Sequence, residues 1–554
     1  MKKTISLFIL LMNVFFIYSC SERTKTKADE IFYNATVYTL DSSFSICDAF
    51  VVSNGKILAT GQKAELLQKY EIKKETDLKG KTVFPGFIDA HCHFFNYGLG
   101  LQEINLVGTK SFDEVLEKIK RYSDSLPAKG WIVGRGWDQN DWPVKKFPEK
   151  SKLDILFPNT PVFLMRVDGH AALANQAALD LAGIQNDFKI EGGKVLLEDG
   201  KLTGVLIDNA IEKLRTKIPS PNITEIEQAL NSAEKNCFRL GLTTVDDAGL
   251  DKEIILSIKK LQESGKLKMR IYAMASSTDS NFNYFKNSGK IKTDRLNVRS
   301  FKFYADGALG SRGACLLNDY QDQKGWKGFL LSDESYFREK AKWMLENGFQ
   351  MNTHCIGDSS DRIISQIYFE TLNSSASKDP LLEKYRWRIE HAQVVNKVDL
   401  QKFSYLIPSV QPTHATSDMY WAEERLGERV TSAYSYKDLL NVSGILALGT
   451  DFPVEDISPI KTFYAAVARK DAKGFPTNGF QMENALSRAD AIRGMTIWAA
   501  YSNFEEPEKG SIEKGKYADF VVLDRDLMKI NENEILNTRI LFTFLNGEKV
   551  FHAD

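Results

Sequence analysis

Short apolar runs broken by Asn-Gly pairs dominate both ends of the chain. Ala49-Phe50-Val51-Val52-Ser53 and Lys56-Ile57-Leu58-Ala59 flank Asn54-Gly55, and Leu541–Leu545 and Glu548–Phe551 flank Asn546-Gly547. Asn-Gly between such runs predicts a hairpin with a type I′ turn. Ala518–Leu523 is a further strand candidate. The middle follows a different rhythm, with strand-length apolar runs alternating with helical stretches such as Glu225–Leu240 and Ser335–Asn347. The runs are Val83–His93, Thr243–Asp247, Arg270–Ser276, Arg299–Asp306, Gln350–His354, Trp387–His391, Ile407–Pro412 and Ile445–Asp451. Eight parallel strands with crossover helices predict an α/β fold, the (β/α)8 TIM barrel. About 150 residues separate the first two runs, too many for a loop, so a subdomain is inserted after strand one. That stretch holds Ser111-x-x-Glu114, a capping box ahead of Val115–Tyr122, and the Trp-rich segment Trp131–Trp142, which reads equally as a pocket wall or as buried core.

Composition narrows the partners. The 554 residues carry 72 Lys+Arg against 73 Asp+Glu. A near-neutral chain lacks the clustered basic charge that nucleic acid requires, which leaves a small-molecule substrate. Only Met1–Cys20 has a long apolar run, and the form of Lys2-Lys3, then Ile5–Tyr18, then Ser19-Cys20 is that of a secretory signal. Its Ile17-Tyr18-Ser19-Cys20 ending resembles a bacterial lipobox, although Tyr18 stands where a small residue is usual. The expectation is an exported protein, facing the periplasm or exterior, that touches a membrane only through a lipid on Cys20. Residues 21–30 read as a polar tether. The remaining cysteines, at 47, 92, 237, 315 and 355, are odd in number and show no Cys-x-x-Cys spacing, which is not a disulfide framework.

Of seven histidines, His91, His93, His354 and His391 fall at the ends of predicted barrel strands. Residues two apart on a strand share a face, so His91 and His93 converge on one point, and neutral imidazoles held that way suit a metal. Asp451 ends the eighth strand, and all five residues land at the C-terminal mouth, where such barrels carry their sites. Four histidines and one aspartate are enough for one or two divalent cations. Imidazole and carboxylate ligands suit zinc, while iron, manganese and nickel also fit. On strand four, Lys302, Tyr304 and Asp306 share a face. A lysine buried there needs pairing or neutralisation. It is either salt-bridged, to Asp306 for example, or converted by carbon dioxide to an anionic carbamate between two cations.

In that order on successive strands, His91-x-His93, Lys302, His354, His391 and Asp451 resemble the amidohydrolase superfamily. The phrases FPGFIDAHCHF, DGHAALAN, FKFYADGALGSRGA, NTHCIGD, RIEHAQ, SVQPTH and GTDFPV are similar to its amidohydrolase-3 branch, which includes N-substituted formamide deformylase. The tail GSIEKGKYADFVVLDRD is similar too, and the likeness covers residues 30–554. The resemblance implies a β-sandwich built from both chain ends, 31–82 and 511–554, beside a barrel over 83–510 with its insertion at about 100–240. It also implies that His91 and His93 bind the more buried metal and that His354 and His391 bind the more exposed one. Lys302 would bridge them as its carbamate, and Asp451 would serve as ligand and proton shuttle.

The implied activity is hydrolysis of a non-peptide carbon–nitrogen bond, in an amide, cyclic amide or N-formyl compound, by metal-activated hydroxide. The alternatives are an esterase or lactonase on the same site, or an exported binding lipoprotein on an inactive barrel, which the intact ligand set argues against. Four further residues are candidates for contact with substrate. His414 ends strand seven and could meet the developing oxyanion, Asp168 and His170 belong to the insertion, and Arg312 follows strand four and could meet a substrate anion.

Overall fold

The computed structural model describes residues 25–125, 130–374 and 382–553, so the apolar leader and Cys20 lie outside the described residues. Its central sheet has eight parallel strands in chain order: Phe87–Cys92, Leu242–Leu250, Arg270–Ser276, Leu296–Tyr304, Gln350–Cys355, Arg388–His391, Ile407–Val410 and Ala447–Leu448. Here they are barrel strands one to eight. The eighth meets the first where the Asp451 N–H donates to the His91 carbonyl at 2.7 Å and the His93 N–H donates to the Phe452 carbonyl at 2.8 Å. Gly449 permits this approach, because a Cβ there would stand 2.5 Å from the His91 nitrogen. Asp89 locks the seam, accepting from the Thr450 N–H at 3.0 Å and its hydroxyl at 2.7 Å.

Strand four shows how the alternating pattern builds the site. Phe301 and Phe303 face outward into the core, where Phe301 stacks on Phe282 at 4.9 Å, while Lys302 between them faces the interior cavity. Each buried phenylalanine contributes about 1.5–3 kcal/mol, which fixes the register and forces the lysine inward.

The two chain ends share one strand-rich domain. Its seven strands run in the order Glu548–His552, Ile540–Leu545, Phe520–Leu523, Tyr70–Pro85, Thr26–Tyr38, Ile46–Ser53, Lys56–Gly61. They are hydrogen-bonded as one continuous sheet. The sheet curls, so that Phe32 packs on Phe544 at 5.2 Å although their strands are not neighbours. Both Asn-Gly turns have positive φ at both residues, as a type I′ turn requires. Two boundaries need correction. Thr26–Glu30 is not tether but strand, paired in parallel from Thr26 with Tyr70. The run Val83–His93 is two strands, with Val83 and Pro85 paired to Val522 and Phe520 and the barrel starting only at Phe87.

The insertion is a six-stranded mixed sheet ordered Gly193–Glu198, Lys201–Asp208, Ala171–Ala174, Val162–Arg166, Ile132–Trp137, Ile104–Asn105. It has an apolar cluster on each face, and Trp137 and Trp142 are buried in one of them. Helix Phe112–Ser125 has half of the expected capping box: the Ser111 hydroxyl accepts from the Glu114 N–H, while the Glu114 carboxylate takes the Lys110 N–H instead of that of Ser111. The reciprocal box is at Asn222 and Glu225, opening helix Ile223–Arg239. That helix packs on helix Phe94–Gly100 of the barrel, so the insertion ends before it rather than near residue 240. The cysteines 47, 92, 237, 315 and 355 are free thiols. Among the described residues no helix is long and apolar enough to cross a membrane.

Candidate active site

A cavity of about 550 Å³ opens at the C-terminal mouth of the barrel, walled on one side by strand ends and on the other by the insertion. His91 is fully buried. Its Nδ1 is bonded to a Glu390 oxygen, and its Nε2 lies 3.0 Å from Lys302 Nζ and 3.6 Å from Asp451 Oδ1. His93 Nε2 is 3.1 Å from the same Asp451 oxygen, and His414 Nε2 is 3.3 Å from Oδ2. Asp451 is thus shared by two groups of close donor atoms, one with His91 and His93, the other with His391 and His414. His354 is in neither group. Its ring packs 4.5 Å from that of His391, and its Nε2 is buried without a hydrogen bond, 3.7 Å from Asp306 Oδ1.

Glu390 and His391 are adjacent in sequence, so a regular strand would turn them to opposite faces. The backbone of His391 has φ +72°, and both side chains reach the cluster: Glu390 bonds His91, and the His391 ring stands 4.8 Å from it. Asp451 is likewise left-handed at φ +61°. Such strained positions persist where the surroundings hold them, here the bond from Asp451 N–H across the barrel seam.

Electrostatics divide the histidines. Burial and the neighbouring Lys302 pull His91 down to about 4. His354 and His391 also lie well below the ordinary histidine range, through burial first and then, for His354, His170 and Lys302 and, for His391, competition with the His354 and His91 rings for a proton. All three therefore carry free lone pairs at neutral pH. His414 goes the other way: although burial disfavours its cation, bonds to Asp451 and Glu455 raise it to about 10. Asp451 stays ionised despite burial because His414 and His93 face it, which holds it well below the carboxylate range. Lys302 is brought down to about 8 by burial. It makes no bond with Asp306, which instead accepts from the N–H groups of Cys315, Ile356 and Gly357 and from the Ser360 hydroxyl. The Lys302–Asp306 pairing is therefore ruled out.

These residues fit a divalent cation. The neutral imidazoles offer lone pairs, and His354 Nε2 and Asp451 Oδ1 are buried without a hydrogen bond, a cost that a cation would remove. Behind them, Glu390 pairs with Arg388 at 2.7 Å, Arg388 reaches Asp246 at 3.0 Å, and the His391 Nδ1–H donates to Gln411 Oε1 at 2.8 Å. Partners of this kind fix the tautomer and ring orientation of metal-binding histidines. Glu390 was readable in RIEHAQ only with the irregular backbone in hand.

The insertion supplies the other wall. His170 lines the cavity, its ring 5.0 Å from that of His354, and its Nδ1 is held by Asp208 Oδ1 at 2.6 Å. Burial opposes the His170 cation, but Asp208 outweighs it and raises the group. Asp168 also lines the cavity, though its carboxylate is taken by Arg166 at 2.5 Å and by the His170 N–H at 3.0 Å. Arg312 does not reach this cavity. It is paired with Asp322 at 2.7 Å and borders a separate cleft of about 230 Å³, because the loop after strand four turns it away. His414, read as a contact for substrate oxygen, sits within ligand distance of Asp451 and against Glu455.

The model of the amidohydrolase family matches residues 74–551. Protein LONG AFTER FAR-RED 3 of Arabidopsis thaliana is 30% identical over 546 residues, covering 95% of this chain and 92% of its own. The N-substituted formamide deformylase of Arthrobacter pascens is 26% identical over 543 residues, covering 94% and 97%. Among solved structures, an uncharacterized metal-dependent hydrolase from Pyrococcus horikoshii OT3 superposes with a TM-score of 0.73 at 26% identity, covering 91% of this chain and 99% of its own. With a barrel of this order and a divalent-metal site at its mouth, the chain belongs to the amidohydrolase family and is a metal-dependent hydrolase.

Proposed function

We propose that the protein hydrolyses a carbon–nitrogen bond other than a peptide bond, in a small amide, cyclic amide or N-formyl compound. Asp451 carries the reading. One ionised carboxylate stands between His91 and His93 on one side and His391 and His414 on the other. It can accept a proton from attacking water and return it to the departing nitrogen, the step an amine needs in order to leave. The relative named as a formamide deformylase supports the same bond class. His414, cationic and braced by Glu455, is placed to donate to the oxygen on which charge develops.

His91, His93 and Asp451 would hold one ion, and His354 and His391 a second. Bound there, zinc in this proposal, the ions supply Lewis acidity and lower the pKa of water. Lys302 would join the two sites as a carbamate. Its amine, brought toward neutrality by burial, adds to carbon dioxide and releases one proton, replacing a repelling ammonium with an anion beside His91. Removing that anion should cost the second ion. Wild type loaded with zinc should bind two equivalents and K302A one, by elemental analysis; two equivalents in K302A would dismiss the bridge. A screen of amides, N-formyl amines, cyclic ureides and matched esters should show turnover of the nitrogen compounds. Cleavage confined to esters or lactones would dismiss the carbon–nitrogen reading. The lipobox-like ending at Cys20 further supports an exported, lipid-anchored protein, and C20S should then move from the membrane fraction to the soluble one.

A further inference from the structure

The cavity wall contains several cations, and among the described residues all but one are already paired. Arg166 is saturated by Gln139 at 2.8 Å, Asp168 at 2.5 Å and Asp138. Lys302 is packed against His91 at 3.0 Å. Arg135 differs. It lies on strand Ile132–Trp137 of the insertion, half-buried, and lines the cavity. No side-chain hydrogen bond or ion pair among the described residues engages its guanidinium; Glu103 and Asp451 act on it only through the field.

The path of the side chain is shaped for this position. It runs across Gly100, at the end of helix Phe94–Gly100, where a Cβ would meet Arg135 Cδ at 3.0 Å and Nη1 at 3.9 Å. Gly100 and the adjoining Asn105 and Gly136 line the same cavity, so small and polar neighbours leave the planar fork open to it. Partial burial without a partner is costly for a guanidinium. Its five N–H donors in a fixed plane match a carboxylate in two parallel bonds. Four acidic groups of the cavity wall are already taken. Asp138 and Asp168 are spent on Arg166, Glu455 on His414 and Ser417, and Asp456 on Lys461.

We propose that Arg135 binds a carboxylate on the substrate, so that the preferred compound is an amide that also carries an acid group. The proposal rests on the carbon–nitrogen reading for its reaction, but the anion site stands on Arg135 itself. A matched pair tests it: racemic N-formylphenylalanine and its neutral carboxamide. With metal-loaded wild type, kcat/KM should favour the acid by at least tenfold, and R135Q should lose that preference through a rise in KM for the acid. Calorimetric titration of metal-free wild type and R135Q with the same pair removes hydrolysis from the readout. Acid-selective binding that disappears in R135Q supports the site even if neither compound is cleaved, in which case the carbon–nitrogen reading alone fails. Failure of wild type to distinguish acid from amide, or selectivity that survives in R135Q, overturns the proposal. If R135Q does not fold, R135K is read instead: a preference cut at least threefold supports the planar fork, and one equal to wild type overturns it.

Discussion

The cavity has two walls of different origin. On the barrel side the polar groups sit on strand ends or within a few residues beyond them, locked by seam bonds such as Asp451 N–H to the His91 carbonyl and by the Arg388–Glu390–Asp246 network underneath. On the insertion side they sit on a second sheet and its turns, and the two that are freest toward the cavity, His170 and Arg135, are held by one side-chain partner and by none among the described residues. Reacting atoms need positions fixed to a fraction of an ångström, which rigid strands supply. Selection among substrates needs variable groups at a fixed distance, which an inserted layer supplies without disturbing the barrel. In the reaction we propose, proton transfer falls to one wall and choice of molecule to the other.

The largest effect that tests this division is at Asp451. D451N keeps the side-chain shape and removes the proton acceptor, so kcat should fall by about 10²–10⁴ with little change in KM. Metal content must be measured alongside, because the same side chain faces both groups of donor atoms. A metal-replete D451N with near-normal kcat would take proton transfer away from the barrel wall. An effect mainly on KM would blur the two walls into one.

The insertion wall should respond differently. D208N keeps an oxygen for the His170 Nδ1–H but removes the charge that orients the ring and supports its cation. A charge-assisted hydrogen bond contributes about 1.5–3 kcal/mol, so kcat/KM should drop about tenfold, unequally across substrates, with metal stoichiometry unaltered. If D208N loses metal in proportion to activity, the insertion helps to hold the ions through His354, whose ring lies against His170, and the division between the walls breaks.

The same contrast explains what could be read without coordinates. The barrel cluster was legible because a period of two and a C-terminal mouth leave few choices: given strands, His91, His93, His354 and Asp451 come to the same end of the barrel. Lys302 was legible because Phe301 and Phe303 claim the core face. Arg312 was misplaced because loop geometry does not project a side chain at a periodic angle, and Arg135 was overlooked because the alternation of strand Ile132–Trp137 does not tell which face of the inserted sheet meets the cavity. GRGWDQ shows an arginine between glycines, but nothing in it tells which wall it faces. Glu390 was missed because alternation sends it away from His391, and only the positive φ of His391 brings both inward. The end domain was legible as strands through its Asn-Gly turns, whereas its curled single sheet depends on long-range pairing such as Val83 with Val522.

The smallest effect separates the walls by the stability each gives up. Behind strand five, Asp361 on helix Asp358–Ser374 is 1% exposed, and neither carboxylate oxygen has a hydrogen-bond partner. Burial raises it well above the usual carboxylate range, and Asp306, Asp358 and Asp399 add to the shift. Burial raises the insertion's Asp208 as well, but there His170 faces the carboxylate and opposes the shift. A carboxyl whose folded pKa is raised binds its proton more tightly in the folded state than in the unfolded chain. Its contribution to stability is complete below about pH 4, the unfolded value, and is lost as pH rises through the higher folded one. At neutral pH the wild type therefore carries a cost that D361N lacks. D361N should be more stable than wild type at pH 8, by about 1 kcal/mol or more, and the gain should vanish near pH 3.5 in denaturant titrations of the metal-free proteins. The matching substitution in the insertion, D208N, gives up the His170 ion pair together with the buried charge, so its gain at pH 8 should be smaller. Equal pH dependence in the two variants would mean that both walls bear the same electrostatic strain, and the barrel would lose its distinction as the side that trades stability for a fixed polar interior.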